Sequence, residues 1–231
     1  MRRTHLVLAL GFLALAPLAG VDAAASQAGL EAQAYPRLFG TTEIHSTAIG
    51  RFYKWTGMLQ RWDRERHEAS APCAPGQRDG CEPQEWRRIV ATLVPLDLRA
   101  KLDTVNALVN RYPYIPSAVN WHEANYWETP YEFLAHSGQC QDYAIAKFML
   151  LRAAGVPNDR LRVVVLRDAR LGLDHAVLVA YLDGAALLLD NQIAEVVPVE
   201  RVQHYRPYYS INETGWWLHE PNPLQISAAL Q

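Results

Sequence analysis

Gly155 and Pro157 divide the chain into two parts whose apolar residues recur with different periods, and this change limits the fold more than any other feature. From Gln139 to Ala154 the spacing is helical, with Ala144, Phe148 and Leu151 on one stripe and Ile145 and Met149 beside it. A Gly followed two residues later by Pro ends such a helix. Beyond that point the period falls to two, so residues 161–166, 175–182 and 185–190 predict strands, the last two joined in a hairpin by Asp183-Gly184. Upstream the spacing is helical again. Ile49, Phe52, Tyr53, Leu59 and Trp62 predict one or two helices over 43–66. Trp86, Ile89, Val90 and Leu93 predict a helix over 83–94, and Leu98, Leu102, Val105 and Leu108 another over 97–111. The stretch from Tyr112 to Phe133, rich in Pro, Asn, Trp and Tyr without a period, reads as an ordered surface loop, and residues 207–223 as an aromatic packing strap. Helices followed by hairpin-connected strands predict one α+β domain over 42–231, its N-terminal helices packed on an antiparallel sheet.

Half of the residues are hydrophobic and a fifth charged, which excludes a disordered or collagen-like chain. Lys and Arg total 22 against 24 for Asp and Glu, so the electrostatic footprint of a nucleic-acid binder is missing. Arg2 and Arg3 precede an apolar run from Leu6 to Leu18 that is too short to span a bilayer and is followed by small residues. Residues 1–25 therefore read as a secretory signal peptide and 26–41 as a flexible leader, which places the mature chain in the bacterial periplasm without stable membrane insertion. In that oxidising compartment Cys73 and Cys81, which bracket a polar, turn-rich loop, are a candidate disulfide. Cys140 is left unpaired.

The two-residue hairpin turn sets a register that pairs Leu182 with Ala185, and counting outward pairs Val177 with Asp190. His175 and Asp190 then become diagonal neighbours on one face, within reach of an imidazole–carboxylate hydrogen bond. Asp190 ends an apolar run and needs a partner, and His175 supplies one. Cys140 stands in the first turn of its helix, where free N–H groups and the helix dipole favour a thiolate and a neighbouring oxyanion. Nucleophile, base and orienting carboxylate are thereby all available in Cys140, His175 and Asp190. His136, four residues before Cys140, is the competing base. Taken singly, Cys140 reads as a small buried hydrophobe, His175 as a strand-end residue and Asp190 as a turn residue; their joint placement is what points to chemistry.

The run Ser137-Gly138-Gln139-Cys140-Gln141-Asp142-Tyr143-Ala144, with Asp174-His175-Ala176-Val177-Leu178 and Leu189-Asp190-Asn191, resembles the bacterial transglutaminase-like cysteine proteinases of the LapG type. Trp127-Glu128-Thr129-Pro130, Tyr209-Ser210-Ile211-Asn212 and Gly215-Trp216 extend the resemblance over most of the mature chain. It implies a papain-like, transglutaminase-like fold, a periplasmic location and a Cys-His-Asp triad at Cys140, His175 and Asp190. It also implies a protein substrate, a large surface adhesin cut near its N-terminus to control biofilm attachment, and an inner-membrane cyclic di-GMP receptor as regulator.

In such proteinases acidic residues flank the nucleophile and belong to a calcium site. Here Gln139 and Gln141 stand in those places, and Asp142 is the one acid left in the motif, a weak calcium ligand. The expectation is an enzyme without a cofactor. Gln139 and Trp127 are candidates for the second oxyanion donor. Gly138-Gln139-Cys140 also resembles the nucleophile motif of true transglutaminases, which keeps acyl transfer to an amine as an alternative; a catalytically inactive periplasmic binding or scaffold module is the non-enzymatic one.

Overall fold

The computed structural model describes residues 35–68, 73–74, 77 and 80–221, so the expected signal peptide and residues 26–34 of the leader lie outside the described residues. Among the described residues six α-helices carry the first part: α1 (Tyr53–Glu65), α2 (Glu82–Leu93), α3 (Leu98–Val109), α4 (Ser117–Asn120), α5 (Pro130–His136) and α6 (Cys140–Ala153). The strands are β1 (Thr42–Ser46), β2 (Leu161–Asp168), β3 (Leu173–Leu182), β4 (Ala185–Leu189), β5 (Val197–Pro198), β6 (Tyr205–Ile211) and β7 (Trp216–Glu220). They form one antiparallel sheet in the order β1-β7-β6-β2-β3-β4-β5. Helices packed on an antiparallel sheet are the α+β architecture that the change of period predicts.

α6 is buried all round, from Gln141 to Leu151, because other helices pack on it from one side and the sheet from the other. Its sheet-facing residues meet Val163, Leu178, Ala180, Leu187, Leu189 and Ile211 in the main core. The opposite sheet face carries Val164, Leu166, Val177, Val179, Tyr181, Ala186 and Leu188, covered by Leu38, Val199, Val202 and Tyr205. Side chains alternate along a strand, so His175 extends the row of Val177 and Val179, and Asp190 extends that of Ala186 and Leu188. The hairpin register is the predicted one, with Leu182 opposite Ala185 and Leu178 opposite Leu189.

Four expectations need correction. Residues 35–41 are not a free leader: Leu38 is fully buried, Tyr35 stacks on Tyr181 at 4.3 Å, and Thr41 donates its hydroxyl to the Leu38 carbonyl. Residues 43–46, expected as helix, belong to a strand over 42–46 paired with β7 at least 170 positions downstream, a partner that local periodicity cannot reveal. The surface loop from 112 to 133 contains α4 and the start of α5, whose capping box has Thr129 accepting from the Glu132 N–H and Glu132 accepting from the Thr129 N–H. The aromatic strap supplies β6 and β7, and β6 lies inside the sheet. Pro207 argues against an interior strand, yet the β2–β6 register shifts between Val165 and Leu166, and such an irregularity is where a sheet accepts Pro.

Cys73 and Cys81 are joined by a disulfide that ties the polar loop to the start of α2.

Candidate active site

Cys140 is the first residue of α6, so its backbone N–H is among the helix N–H groups without an intrahelical acceptor. The turn before it is fixed from both sides. Asp142 reaches back to accept from the Gln139 N–H at 2.9 Å, and the Gly138 carbonyl accepts from the Ile115 N–H at 2.9 Å. Gly138 has no room for a side chain, since a Cβ there would stand 2.6 Å from the Asp142 Cβ and 2.9 Å from Glu128 Oε2. The thiol is partly exposed, with Gln141 Oε1 3.6 Å away.

His175 and Asp190 are both buried, and the imidazole Nε2 donates to Asp190 Oδ1 at 2.9 Å. With Nε2 so committed, Nδ1 is left for the thiol. Burial opposes charge on the imidazole, but hydrogen bonds to Asp190 and Cys140, with the Asp190 charge, outweigh it and hold His175 at about 9. Burial likewise disfavours the Asp190 carboxylate, and His175, Tyr205 and the Gln192 N–H reverse that and keep it below its ordinary value. Asn110 donates to the Asp190 carbonyl at 2.8 Å, so backbone and side chain are both held. The structure thus gathers Cys140, His175 and Asp190 into one constellation. A thiol beside an imidazole backed by a carboxylate is suited to nucleophilic attack on a carbonyl.

The other candidates separate. The Gln139 side chain accepts from the Ser117 N–H at 3.3 Å, which leaves its amide nitrogen without a protein acceptor among the described residues. Trp127 drops out as an oxyanion donor: its ring is buried edge-on to Trp55, and its indole N–H is given to Asn125 Oδ1 at 3.0 Å. His136 stands exposed at the end of α5, edge-on to Trp121.

Protein donors already engage both oxygens of Asp142. Calcium takes six to eight oxygen ligands. Asp142 instead receives N–H groups from Glu128 at 2.9 Å, Gln139 at 2.9 Å and the Gln141 amide at 3.2 Å. That amide also donates to the Tyr126 carbonyl at 3.0 Å, so its NH2 group, not its oxygen, faces the two acceptors. The second acid is Glu128, whose Oε1 accepts from the Trp121 indole at 2.6 Å while Oε2 is buried without a partner. Burial lifts Glu128 to about 7 and, with the Glu128 charge, pushes Asp142 well up. No cluster of three or more metal-binding side chains occurs among the described residues.

Three buried groups near the site escape a reading of spacing alone. Glu128 falls in a segment without period; Tyr205 precedes a Pro-containing run; Lys147 sits in an apolar helix. Lys147, lowered to about 7 by burial against the pull of Asp190, donates to Asn106 Oδ1 at 2.8 Å, and Asn106 in turn holds the Ala194 carbonyl at 2.9 Å. This chain of contacts pins the segment after Asp190 to α3. A cation and an amide at core positions, Lys147 and Asn106, were the available signal.

A family model of bacterial transglutaminase-like cysteine proteinases matches residues 72–219. Among solved structures, LapG of Legionella pneumophila is similar at 25% identity and a TM-score of 0.57, covering 74% of this chain and 94% of that one. The EGTA-treated form of the same protein is similar at 26% identity and a TM-score of 0.56, covering 69% and 84%. Its calcium-bound form shares the fold at 23% identity and a TM-score of 0.57, covering 75% and 99%. No curated protein sequence matches. The family match spans Cys140, His175 and Asp190 together, and the chain belongs to the bacterial transglutaminase-like cysteine proteinases.

Proposed function

We propose that the protein is a periplasmic endopeptidase in which Cys140 is the nucleophile, His175 the proton carrier and Asp190 the group that orients His175. The observation that supports this best is the imidazole held between the Cys140 thiol and the Asp190 carboxylate. The thiolate adds to a peptide carbonyl carbon, and the oxyanion meets the Cys140 N–H and the Gln139 amide. Collapse breaks the C–N bond as imidazolium gives its proton to the leaving amine, leaving a thioester on Cys140. Water then attacks the thioester, His175 takes its proton, and the carboxylic acid product and the thiol are released.

The substrate of a proteinase of this family is a protein. Our finer reading is a large surface adhesin cut near its N-terminus, with release of attached cells as the consequence and an inner-membrane cyclic di-GMP receptor as the restraint. Export follows from residues 1–25 acting as a signal peptide, and among the described residues no helix is long and apolar enough to cross a membrane. Incubating the purified mature chain with the N-terminal region of such an adhesin should give two fragments on a gel, with masses that sum to substrate plus water. Cleavage that persists in Cys140→Ala removes the proposed nucleophile. Products heavier by a conjugated amine would assign acyl transfer instead.

We also propose that activity needs no calcium, because the Gln141 amide already occupies the oxygens of Asp142 and Tyr126. EGTA should leave both turnover and Tm unchanged; a rise in Tm on adding calcium would contradict this.

A further inference from the structure

Asp190 Oδ1 is shared between the His175 imidazole and the Gln192 N–H, whereas Oδ2 has a partner of a different kind. The Tyr205 hydroxyl, from the first residue of β6, donates to it at 2.6 Å. Tyr205 is 2% exposed, and its ring lies edge-on to the His175 imidazole, centroids 5.7 Å apart. On its other side it meets the His204 ring at 4.6 Å and Phe39 at 6.3 Å. The bond between Tyr205 and Asp190 is therefore made inside a packed apolar face, where it is not exchanged with water.

We infer that Tyr205 is a positioning residue for the hydrolytic reaction: it fixes the rotation of the Asp190 carboxylate so that Oδ1 alone faces His175, and its ring closes the imidazole–carboxylate bond to solvent. This rests on the reading of Asp190 as the orienting group. A carboxylate held at one oxygen can swing about its Cβ–Cγ bond, and a swing of this kind misplaces the imidazole relative to the thiol. The hydroxyl also takes part of the carboxylate charge that would otherwise fall on the imidazolium. The charged and titratable groups around the pair are Cys140 beside His175, Lys147 from α6 near Asp190, and Asp168, Arg170 and His204 around Tyr205.

The test uses the mature full chain and p-nitrophenyl acetate, which acylates a reactive thiol whatever the protein substrate is. Tyr205→Phe keeps the ring and removes the hydroxyl. Its kcat should fall about tenfold with KM within about twofold of wild type. The alkaline limb of its kcat/KM profile should move up by about half a pH unit, since an unshared carboxylate holds imidazolium more firmly. Added to Asp190→Asn, the same substitution should lower kcat no further. Tm and the circular dichroism spectrum report how much of each variant is folded, so a packing loss shows there and leaves the pH profile of the folded fraction in place. An unmoved alkaline limb with full kcat in Tyr205→Phe overturns the inference while the triad stands. Full activity in Asp190→Asn overturns the reading of Asp190 itself.

Discussion

At the scale of single residues, the buried ionisable groups set two separate pH windows for stability. His175 is held at about 9, above its unfolded value, so the stability from its charged form is complete below the ordinary histidine value near 6.5 and is lost as pH rises through about 9. Replacing Asp190 by Asn should flatten the fall in Tm over that interval and lower turnover at least about a hundredfold, the low end of what a displaced acid–base group costs. Glu128 works lower on the scale. Its carboxyl is lifted to about 7 by burial, so its neutral form contributes fully below the ordinary glutamate value near 4.5 and that contribution fades through about 7. Glu128→Gln retains an oxygen for the Trp121 and Asn120 donors and places an NH2 where the unpartnered Oε2 faces Asp142. Thermal unfolding at pH 5 and pH 8 checks this: the variant should gain most at pH 8, and an equal shift at both would contradict the assignment.

At the scale of elements, the entry turn of α6 is the least replaceable piece. A methyl group at Gly138 would stand 2.6 Å from the Asp142 Cβ and 2.8 Å from its Oδ2. Gly138→Ala should cost about 1–3 kcal/mol in urea unfolding, as overpacked sites do. It should also slow alkylation of Cys140, because the turn that aims the thiol has moved. The Cys73–Cys81 loop lies far from this chemistry in sequence, and its reduction should cost about 2–3 kcal/mol by the chain-entropy argument while leaving the Cys140 alkylation rate unchanged. Elements with local causes were legible in the sequence: α2, α3 and α6 from apolar spacing, the β3–β4 hairpin from Asp183-Gly184, and from its register the meeting of His175 with Asp190. Elements with distant causes were not. β1 is defined by β7, and Ile44, its one large aliphatic residue, is exposed, so no buried row marks it. β6 hides behind Pro207, and α5 behind a Thr-Pro-Tyr-Glu start that a composition rich in Pro, Trp and Tyr masks. Trp127 shows the converse limit: an indole near the nucleophile in sequence serves the core because Trp55 and Asn125 claim it.

At the scale of the whole molecule, the fold brings two independently stiff parts together. α6 is fixed by burial on every side and presents Cys140 at its start; the β3–β4 hairpin, braced through Tyr205 and Asn110, presents His175 and Asp190. The central claim is that this meeting activates one thiol. Its most direct test is the rate at which iodoacetamide alkylates Cys140 at pH 6, where an ordinary thiol is almost wholly protonated. Wild-type protein should react at least about tenfold faster than folded His175→Ala, since only the former holds an imidazolium beside the sulfur. Equal, slow rates in the two proteins would contradict the account.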